Sequence, residues 1–408
     1  MKNLDQFISQ MMESARLVQN RDVSGASAVI QQALAQAGLA TPHAAGTTQA
    51  AANAAENAAA TATEEETEFV DLNPAPDWSA RRTAPPRPSK ARRAGADPEF
   101  FQRFMRTGAA AHKQAAAAAP APNWPGRFIA GRHACESGAR GYKLYIPAAP
   151  VAPGTRRPLV VMLHGCTQNP LDFAIGTKMN ELAEQYGCLV LYPEQDAGAN
   201  HNRCWNWFEP AHQARGAGEA EIIAGMTRAI VAEHDAEPSQ VFVAGMSAGG
   251  AMAAILGAAY PELYAAIGVH SGLPAGSARD MITGLQAMKK PGRGRSLREA
   301  VPLIVIHGDA DHVVSAANGE AVLQQFVGAH AGLHPAPLTR ASSEQDMGGR
   351  RCTRATWHDQ EGRPMAEHWT VHGAGHTWSG GCASGSHTDA TGPCASSAML
   401  RFFLGERS

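Results

Sequence analysis

Short apolar segments alternate with helix-like segments from about residue 124 to the end of the chain. Residues 158–163 (Pro-Leu-Val-Val-Met-Leu) are continuously apolar, which is typical of a strand buried on both faces of a sheet. Strands that alternate with helices predict an α/β fold, with a mostly parallel central sheet and helices on both faces. The predicted strands are residues 127–130, 141–147, 158–163, 188–192, 241–244, 265–270, 302–307, 353–358 and 366–371, and the predicted helices are residues 172–186, 218–233, 251–259, 316–327 and 395–404.

The first 120 residues have a different composition. Residues 1–40 carry apolar side chains at spacings near a helical period, which predicts a helical N-terminal segment. Residues 41–120 are rich in alanine and proline and predict a low-complexity linker that cannot bury a core. We therefore expect a largely disordered or helical extension before a domain at residues 121–408. A docking or assembly module that uses the amphipathic faces is the alternative.

Composition excludes several classes of protein. The chain has 408 residues, 44% of them apolar, which is enough for one large α/β domain. Its formal net charge of −2 gives no reason to expect a nucleic-acid partner. No apolar run reaches the roughly 18 to 20 residues that a transmembrane helix needs, so we expect no transmembrane segment. The N-terminal sequence also lacks the basic and apolar regions of a Sec-type signal peptide.

A serine motif lies between a predicted strand and a predicted helix. Residues 241–250 (Val-Phe-Val-Ala-Gly-Met-Ser-Ala-Gly-Gly) contain Gly-x-Ser-x-Gly, and this context predicts a nucleophile elbow. Gly245 and Gly249 are needed there because a side chain at either position would collide with neighbouring backbone. The hydroxyl of Ser247 would then lie at a helix N-terminus, where the helix dipole favours developing negative charge. Ser247 is therefore the candidate nucleophile.

A nucleophilic serine needs a base, and the base needs an acid that orients it. In α/β-hydrolases the acid and then the histidine follow the serine along the chain. Asp311 and His376 each follow a predicted strand, at the edge where such sheets place their chemistry. Asp309 competes as the acid, but Asp311 lies further round its turn and precedes an apolar pair. His376 is favoured over His372 because it lies within a glycine-rich loop next to Trp378.

Two backbone N–H groups are expected to stabilise the oxyanion of an acyl-transfer intermediate. One is the N–H of Ala248, directly after the serine. The other is the N–H of Cys166, in the loop that begins with His164 and Gly165 after the third predicted strand.

No metal is expected in this chain. There is no His-Glu-x-x-His, and the seven cysteines lack paired Cys-x-x-Cys spacing. Cys382 and Cys394 could join His376 or His387 at a zinc site, but a disulfide or two free thiols are favoured. Because seven is an odd number, at least one cysteine is unpaired within the chain.

Six stretches point to a known family. They are residues 163–168 (LHGCTQ), 192–195 (YPEQ), 204–208 (CWNWF), 245–250 (GMSAGG), 307–311 (HGDAD) and 375–381 (GHTWSGG). With these motifs in this order, residues 124–404 resemble esterases of the poly(3-hydroxybutyrate) (PHB) depolymerase family. That family belongs to the α/β-hydrolase superfamily and is related to feruloyl and acetylxylan esterases.

The resemblance implies an α/β-hydrolase fold and a cofactor-free serine hydrolase. It implies that Ser247, Asp311 and His376 form the triad, and it supports Cys166 as an oxyanion donor. The substrate would be a short-chain hydroxyalkanoate polyester, its oligomers or another small ester. Aromatic faces can hold such an apolar chain, so Trp207, and less favourably Trp205, would bind substrate.

The resemblance also leads us to predict a disulfide between Cys166 and Cys204. Such a bond would tie the oxyanion loop to the tryptophan loop.

Three questions stay open at this level. The ester could instead be a feruloyl or acetyl ester of plant polysaccharide. A protein of another class, which binds polymer granules through its N-terminal extension, is also possible. The resemblance suggests an extracellular protein, whereas the absence of a Sec signal peptide favours the cytoplasm.

Overall fold

The computed structural model describes residues 123–333 and 336–405. The predicted helical segment at residues 1–40 and the linker at residues 41–120 lie outside the described residues. The boundary of the following domain at residue 121 stays a prediction for the same reason.

The described chain alternates strands and helices, as the hydrophobic pattern predicts. The strands are β1 (Arg127–Cys135), β2 (Gly138–Ile146), β3 (Leu159–Leu163), β4 (Leu189–Pro193), β5 (Val241–Met246), β6 (Ala266–His270), β7 (Leu303–Gly308), β8 (Thr339–Met347), β9 (Arg350–His358), β10 (Pro364–Val371), β11 (Trp378–Ser379) and β12 (Thr388–Asp389). The helices are α1 (Pro170–Thr177), α2 (Met179–Tyr186), α3 (Gly218–Glu233), α4 (Ala248–Ala259), α5 (Met281–Lys289), α6 (Ala317–Leu333) and α7 (Ala395–Phe403), with 3₁₀ turns at Pro210–His212 and Pro238–Gln240.

Across the described ranges, ten strands form one sheet in the order β1-β2-β4-β3-β5-β6-β7-β10-β9-β8. The six strands from β4 to β10 in this order pair in parallel, and antiparallel strands flank them at both ends. Every residue of β3, β5 and β7 is buried, because helices cover both faces of the sheet. This is the predicted fold class, an α/β-hydrolase sheet with helices on both faces.

Two hydrophobic clusters form the core, one on each face of the sheet. Because side chains alternate along a strand, Val161 and Val243 contribute to one cluster and Val160 and Phe242 to the other. Helices α3, α4 and α6 supply the first cluster, and α1, α2 and α7 supply the second. Phe242 stacks on Phe403 of α7, with ring centroids 4.8 Å apart.

Parallel pairing brings the C-terminal ends of β3, β5, β7 and β10 to the same edge of the sheet. Loops that follow these four strands contain His164, Ser247, Asp311 and His376. The candidate residues therefore converge although the first and the last are more than 200 positions apart in sequence.

The main differences from the sequence-based expectation are one divided helix, one missed helix and one missed edge strand. The helix predicted at residues 172–186 is two helices, because Lys178 adopts a left-handed conformation (φ 56°, ψ 20°) that ends α1 and begins α2. The short helix α5 was missed. The edge strand β8 was missed because it is polar and exposed along nearly its whole length. Among the helices of the described residues, none has both the length and the apolar character needed to cross a bilayer.

Candidate active site

Ser247 lies on a strained turn between β5 and α4. Its backbone has φ 56° and ψ −118°, which a residue with a side chain rarely adopts. A Cβ atom on Gly245 would lie 2.4 Å from the carbonyl carbon of Gly249, and one on Gly249 would lie 2.0 Å from the carbonyl oxygen of Leu163. Both glycines are therefore required by close backbone contacts. The Ser247 hydroxyl makes no capping hydrogen bond to α4, so it is available for chemistry.

His376 and Asp311 form a buried pair at the same edge of the sheet. His376 Nδ1 lies 2.7 Å from Asp311 Oδ2, and both side chains are almost completely buried. The other carboxylate oxygen, Oδ1, accepts hydrogen bonds from the N–H groups of Val313 (2.8 Å) and Val314 (2.9 Å). His307 Nε2 approaches Oδ2 to 3.3 Å. This carboxylate is therefore held in one orientation by groups on both sides.

The electrostatic environment keeps Asp311 ionised. Burial by itself raises the pKa of this carboxyl, but hydrogen bonds and charge interactions with His307 and His376 outweigh burial, so the pKa lies well below its usual range. An ionised carboxylate here can hold the imidazole of His376 in one tautomer and stabilise its protonated form.

The competing residues Asp309 and His372 form a second, separate pair. His372 Nδ1 lies 2.7 Å from Asp309 Oδ2, and its Nε2 lies 2.8 Å from the hydroxyl of Thr353. The side chain of His372 is 27% exposed and that of Asp309 is 42% exposed. The side chains of His376 and Asp311 are only 5% and 0% exposed. Only His376, of the two histidines, lines the small cavity that Ser247 also lines.

Three N–H groups of the oxyanion loop have acceptors in the described structure. The Gly165 N–H donates to Gln168 Oε1 (2.9 Å), the Thr167 N–H to the Asn202 carbonyl (2.7 Å) and the Gln168 N–H to the Gly165 carbonyl (3.3 Å). Within the described part of the chain, no protein atom accepts a hydrogen bond from the Cys166 N–H.

The first turn of α4 also begins with an N–H group that no protein atom accepts among the described residues. The Ser247 N–H donates to the His270 carbonyl (2.9 Å), but the next N–H, that of Ala248, has no protein acceptor among the described residues. Cys166 and Ala248 both line the cavity beside Ser247, so their N–H groups remain candidates for binding an oxyanion.

Two residues near the serine were not assigned from the sequence. Gln168 holds the oxyanion loop, because its Nε2 donates to Asp172 Oδ2 (2.9 Å) and to the Ser386 carbonyl (3.1 Å) while its Oε1 accepts from Gly165. His387 lines the same cavity as Ser247 and His376. Gln168 belongs to one of the six motifs. The roles of Gln168 and His387 could not be predicted from the sequence, because each depends on contact with a segment that is distant in sequence.

A mainly apolar cavity, partly open to solvent, extends from Ser247. Trp207 and Phe208 line it together with Met281, Leu285 and Met288 of α5. A mainly apolar lining with a few polar groups is typical of a small-molecule site. The helix that sequence patterning missed therefore forms one wall of the candidate substrate site.

The two tryptophans of the CWNWF motif have different positions. Trp207 lines the apolar cavity. Trp205 is completely buried, and its Nε1 donates to the His164 carbonyl (3.1 Å). Trp205 does not line the cavity, because its ring packs beneath the loop and supports the strand end before the oxyanion loop, so substrate contact stays a prediction for Trp207, the preferred of the two.

Cys166 and Cys204 form a disulfide with their Cα atoms 4.2 Å apart. The bond joins the oxyanion loop to the tryptophan loop, as the family resemblance implied. In the described residues the thiols of Cys382 and Cys394 are free, and no three His, Cys, Asp or Glu side chains are grouped to hold a metal ion.

His270 is a buried neutral histidine behind the site. Its ring stacks on Trp378 (4.9 Å between centroids), and its Nε2 accepts a hydrogen bond from the Ser379 N–H (3.2 Å). Burial, with smaller contributions from His307 and His376, lowers the pKa of His270 to about 3. The unfolded chain, in which a histidine has a pKa of about 6.5, therefore binds a proton that the folded protein does not bind.

This difference predicts a pH dependence of stability. As pH falls from about 6.5 towards 3, His270 should lower the free energy of unfolding by about 1.4 kcal/mol per pH unit. His270→Gln, whose side chain can still accept from Ser379, should show a shallower slope by about that amount between pH 6 and pH 5. Urea unfolding at both pH values measures it. The matched control is His312→Gln at an exposed position, and equal slopes in all three proteins would contradict the prediction.

The chain is similar in sequence to known esterases. The family model of the PHB depolymerase esterases matches residues 140–346, about half of the chain. Poly(3-hydroxyalkanoate) depolymerase C of Paucimonas lemoignei is 33% identical over 233 residues, which cover 54% of this chain and 54% of that protein. A probable acetylxylan esterase A of Aspergillus fumigatus is 37% identical over 123 residues, 30% of this chain and 32% of that protein. The solved acetyl xylan esterase from Aspergillus awamori gives a TM-score of 0.48 at 22% identity, covering 65% of this chain and 94% of that chain.

The parallel sheet and the strand–turn–helix elbow define an α/β-hydrolase. Within that class the chain belongs to the PHB depolymerase family of esterases, which are carboxylic ester hydrolases. The match spans about half the length of the Paucimonas depolymerase.

Proposed function

We propose that this protein is a cofactor-free serine esterase that acts through a covalent acyl-enzyme. The observation that carries the proposal is the pairing of His376 with the buried Asp311 in a cavity that Ser247 also lines. The second histidine–aspartate pair, His372 with Asp309, is separate from that cavity. The chain order of Ser247, Asp311 and His376, in which the candidate acid and then the candidate base follow the serine, also supports the proposal.

In the proposed mechanism the Ser247 hydroxyl attacks the carbonyl carbon of the ester. His376 takes the hydroxyl proton on Nε2, the nitrogen that does not face Asp311, and then gives it to the alcohol that leaves. The N–H groups of Cys166 and Ala248 bind the oxygen that becomes negative in the tetrahedral intermediate. A water molecule then attacks the acyl-enzyme with His376 again as base, which releases the acid and restores Ser247.

The substrate that we propose is a short-chain hydroxyalkanoate polyester or its oligomers. Two observations support it: the relative from Paucimonas lemoignei is named a poly(3-hydroxyalkanoate) depolymerase, and the cavity beside Ser247 is mainly apolar. The cavity wall formed by Trp207 and by Met281 and Leu285 of α5 suits a short aliphatic acyl chain. An acetyl or feruloyl ester of polysaccharide is the second candidate, which the acetylxylan esterase relative favours.

The test of this proposal is active-site labelling followed by an ester panel. A fluorophosphonate should add one group per molecule, peptide mass spectrometry should locate it on Ser247, and hydrolysis should stop in proportion to labelling. The panel should contain a 3-hydroxybutyrate oligomer, an acetylated xylan oligomer and a feruloyl ester, compared by kcat/KM.

Labelling at another residue, or full activity after labelling, would contradict the serine mechanism. Highest kcat/KM on the acetyl or feruloyl ester would leave the mechanism standing and replace the substrate. Granule association through the N-terminal extension stays a prediction about residues outside those described, and an extracellular location stays an expectation.

A further inference from the structure

A carboxylate with no exposed surface lies beneath the two loops that border the serine. Glu219, in the first turn of α3, is fully buried. Its Oε2 accepts from the Asn206 N–H (2.7 Å), and its Oε1 accepts from Asn206 Nδ2 (2.8 Å), Gln195 Nε2 (2.5 Å) and Arg140 Nη2 (3.1 Å). Four N–H donors from three separate segments therefore meet on one side chain. Nothing in the proposed mechanism uses this group.

Two of these donors are residues of the six sequence motifs that have no part in the catalytic steps proposed above. Gln195 is the last residue of the YPEQ motif, and Asn206 is the middle residue of CWNWF. Arg140 also donates from Nε to Gln195 Oε1 (2.8 Å), so cation, amide and carboxylate form one network. A buried carboxylate is stable only when such donors satisfy both of its oxygens.

The network continues into the oxyanion loop by three contacts. Gln195 Nε2 also donates to the carbonyl of Cys204, whose sulfur is bonded to Cys166. The Gln195 N–H donates to His164 Nε2 (3.2 Å), and the Trp205 indole donates to the His164 carbonyl (3.1 Å). Cys166 is thus attached in two ways to the segments that Glu219 holds. One attachment is through His164, two residues earlier in the same loop, and the other is through its own disulfide to Cys204.

From this arrangement we propose that Glu219 is a positioning residue for the oxyanion site. By holding Asn206 and Gln195 it sets the place of the tryptophan loop, and through the disulfide and His164 it sets the direction of the Cys166 N–H. An oxyanion donor acts only when it is held within a few tenths of an ångström of the productive position. The inference rests on the proposed function, in which Cys166 is such a donor.

Glu219→Gln tests the proposal because it keeps the size of the side chain and changes one acceptor into a donor. Wherever the new NH₂ group is placed, it faces at least one N–H: that of Asn206 at the Oε2 position, or three donors at the Oε1 position. The tryptophan loop must then shift. The matched control is Glu221→Gln on the same helix, where the carboxylate accepts from the hydroxyl of Tyr260 (2.6 Å) and from Arg228 Nη1 (3.3 Å) and, within the described residues, makes no hydrogen bond to either loop.

The measurements are kcat and KM for a short-chain p-nitrophenyl ester, and the inhibition constant of a short alkyl trifluoromethyl ketone. The ketone forms a tetrahedral adduct with the serine whose oxygen occupies the oxyanion site. Removal of a whole oxyanion donor lowers kcat by roughly 10² to 10³-fold. For Glu219→Gln we therefore expect kcat to fall about 10 to 100-fold with KM within about threefold, and the inhibition constant to rise by a similar factor. Glu221→Gln should change neither by more than about threefold.

Active-site titration with the fluorophosphonate separates positioning from loss of folded enzyme. Two results for Glu219→Gln would overturn the proposal. In the first, kcat per titrated site falls but the inhibition constant of the ketone does not change. In the second, neither quantity changes. If Glu219→Gln does not fold, Asn206→Ala takes its place, because it deletes one donor and keeps the backbone N–H. Its kcat should fall and its inhibition constant rise together by about 3 to 10-fold, and no change in both would overturn the proposal.

Failure of the proposed function has a different signature. If the wild-type protein neither hydrolyses the ester nor reacts with the fluorophosphonate, the serine mechanism itself fails and this inference falls with it. If the wild type does both and only the Glu219 result is negative, the esterase mechanism stands and the role of Glu219 is structural.

Discussion

Ser247→Ala is expected to lower kcat for a short-chain p-nitrophenyl ester by roughly 10⁵ to 10⁶-fold, with little change in stability. The rate falls because the oxygen that forms the acyl-enzyme is removed, and loss of the serine of a triad is about as costly as loss of all three members. Stability should be retained because the hydroxyl makes no capping bond to α4, and alanine at this φ of 56° meets the same strain as serine. Steady-state kinetics and a thermal melt on the same preparation measure both.

The matched control for this change is Ser271→Ala. Ser271 follows the neighbouring strand β6, is buried and also has a positive φ, of 49°. It should keep kcat within about threefold of the wild type, since its hydroxyl faces His270 Nδ1 and not the cavity residues. Turnover by Ser247→Ala at the wild-type rate would end the proposal of a serine nucleophile.

Asp311→Asn is expected to lower kcat by about 10⁴-fold at neutral pH. An amide in place of the carboxylate can present its NH₂ to His376 Nδ1, which favours the wrong tautomer and removes the charge that stabilises the imidazolium. The side chain is fully buried and its partners Val313 and Val314 remain, so Asn should keep the geometry of the loop. The pH–rate profile from pH 5 to pH 9 measures the loss.

Asp309→Asn is the matched control, since it makes the same change two residues earlier in the same loop. Asp309 pairs with His372 at a more exposed place and also accepts from the Gly373 N–H (2.7 Å). We expect this variant to lose less than about tenfold in kcat. A larger loss in Asp309→Asn than in Asp311→Asn would transfer the acid role to Asp309 and the base role to His372.

The elements found from the sequence are those whose pattern is strong and local. Strands β3, β5 and β7 are apolar at almost every position, because a strand covered on both faces has no polar side. Strand β8 has no such pattern, since it lies at the sheet edge and its formation depends on pairing with β9. The break at Lys178 was missed for a related reason, because nothing in the local apolar pattern distinguishes two short helices from one long one.

The candidate site also has a part that local sequence predicts and a part that depends on distant contacts. The elbow at Ser247 can be predicted from a few residues, because the steric demand that selects Gly245 and Gly249 arises within the strand, turn and helix that contain them. Trp205 could not be separated from Trp207 by sequence, because their exposure depends on packing under His164 and against α5. Glu219 carries no motif, and its neighbours Arg140 and Gln195 are 79 and 24 positions away.

The amino-acid sequence alone determined the class of fold, and it was enough to propose the nucleophile and the order in which the candidate acid and base follow it. These features depend on short-range sterics and on hydrophobic periodicity, which are properties of consecutive residues. Only the tertiary structure sorted four residues into two pairs, Asp311 with His376 beside the serine and Asp309 with His372 apart from it. Both aspartates lie in one turn and both histidines in another, so distance and burial separate them, and these exist only when β7 and β10 are paired.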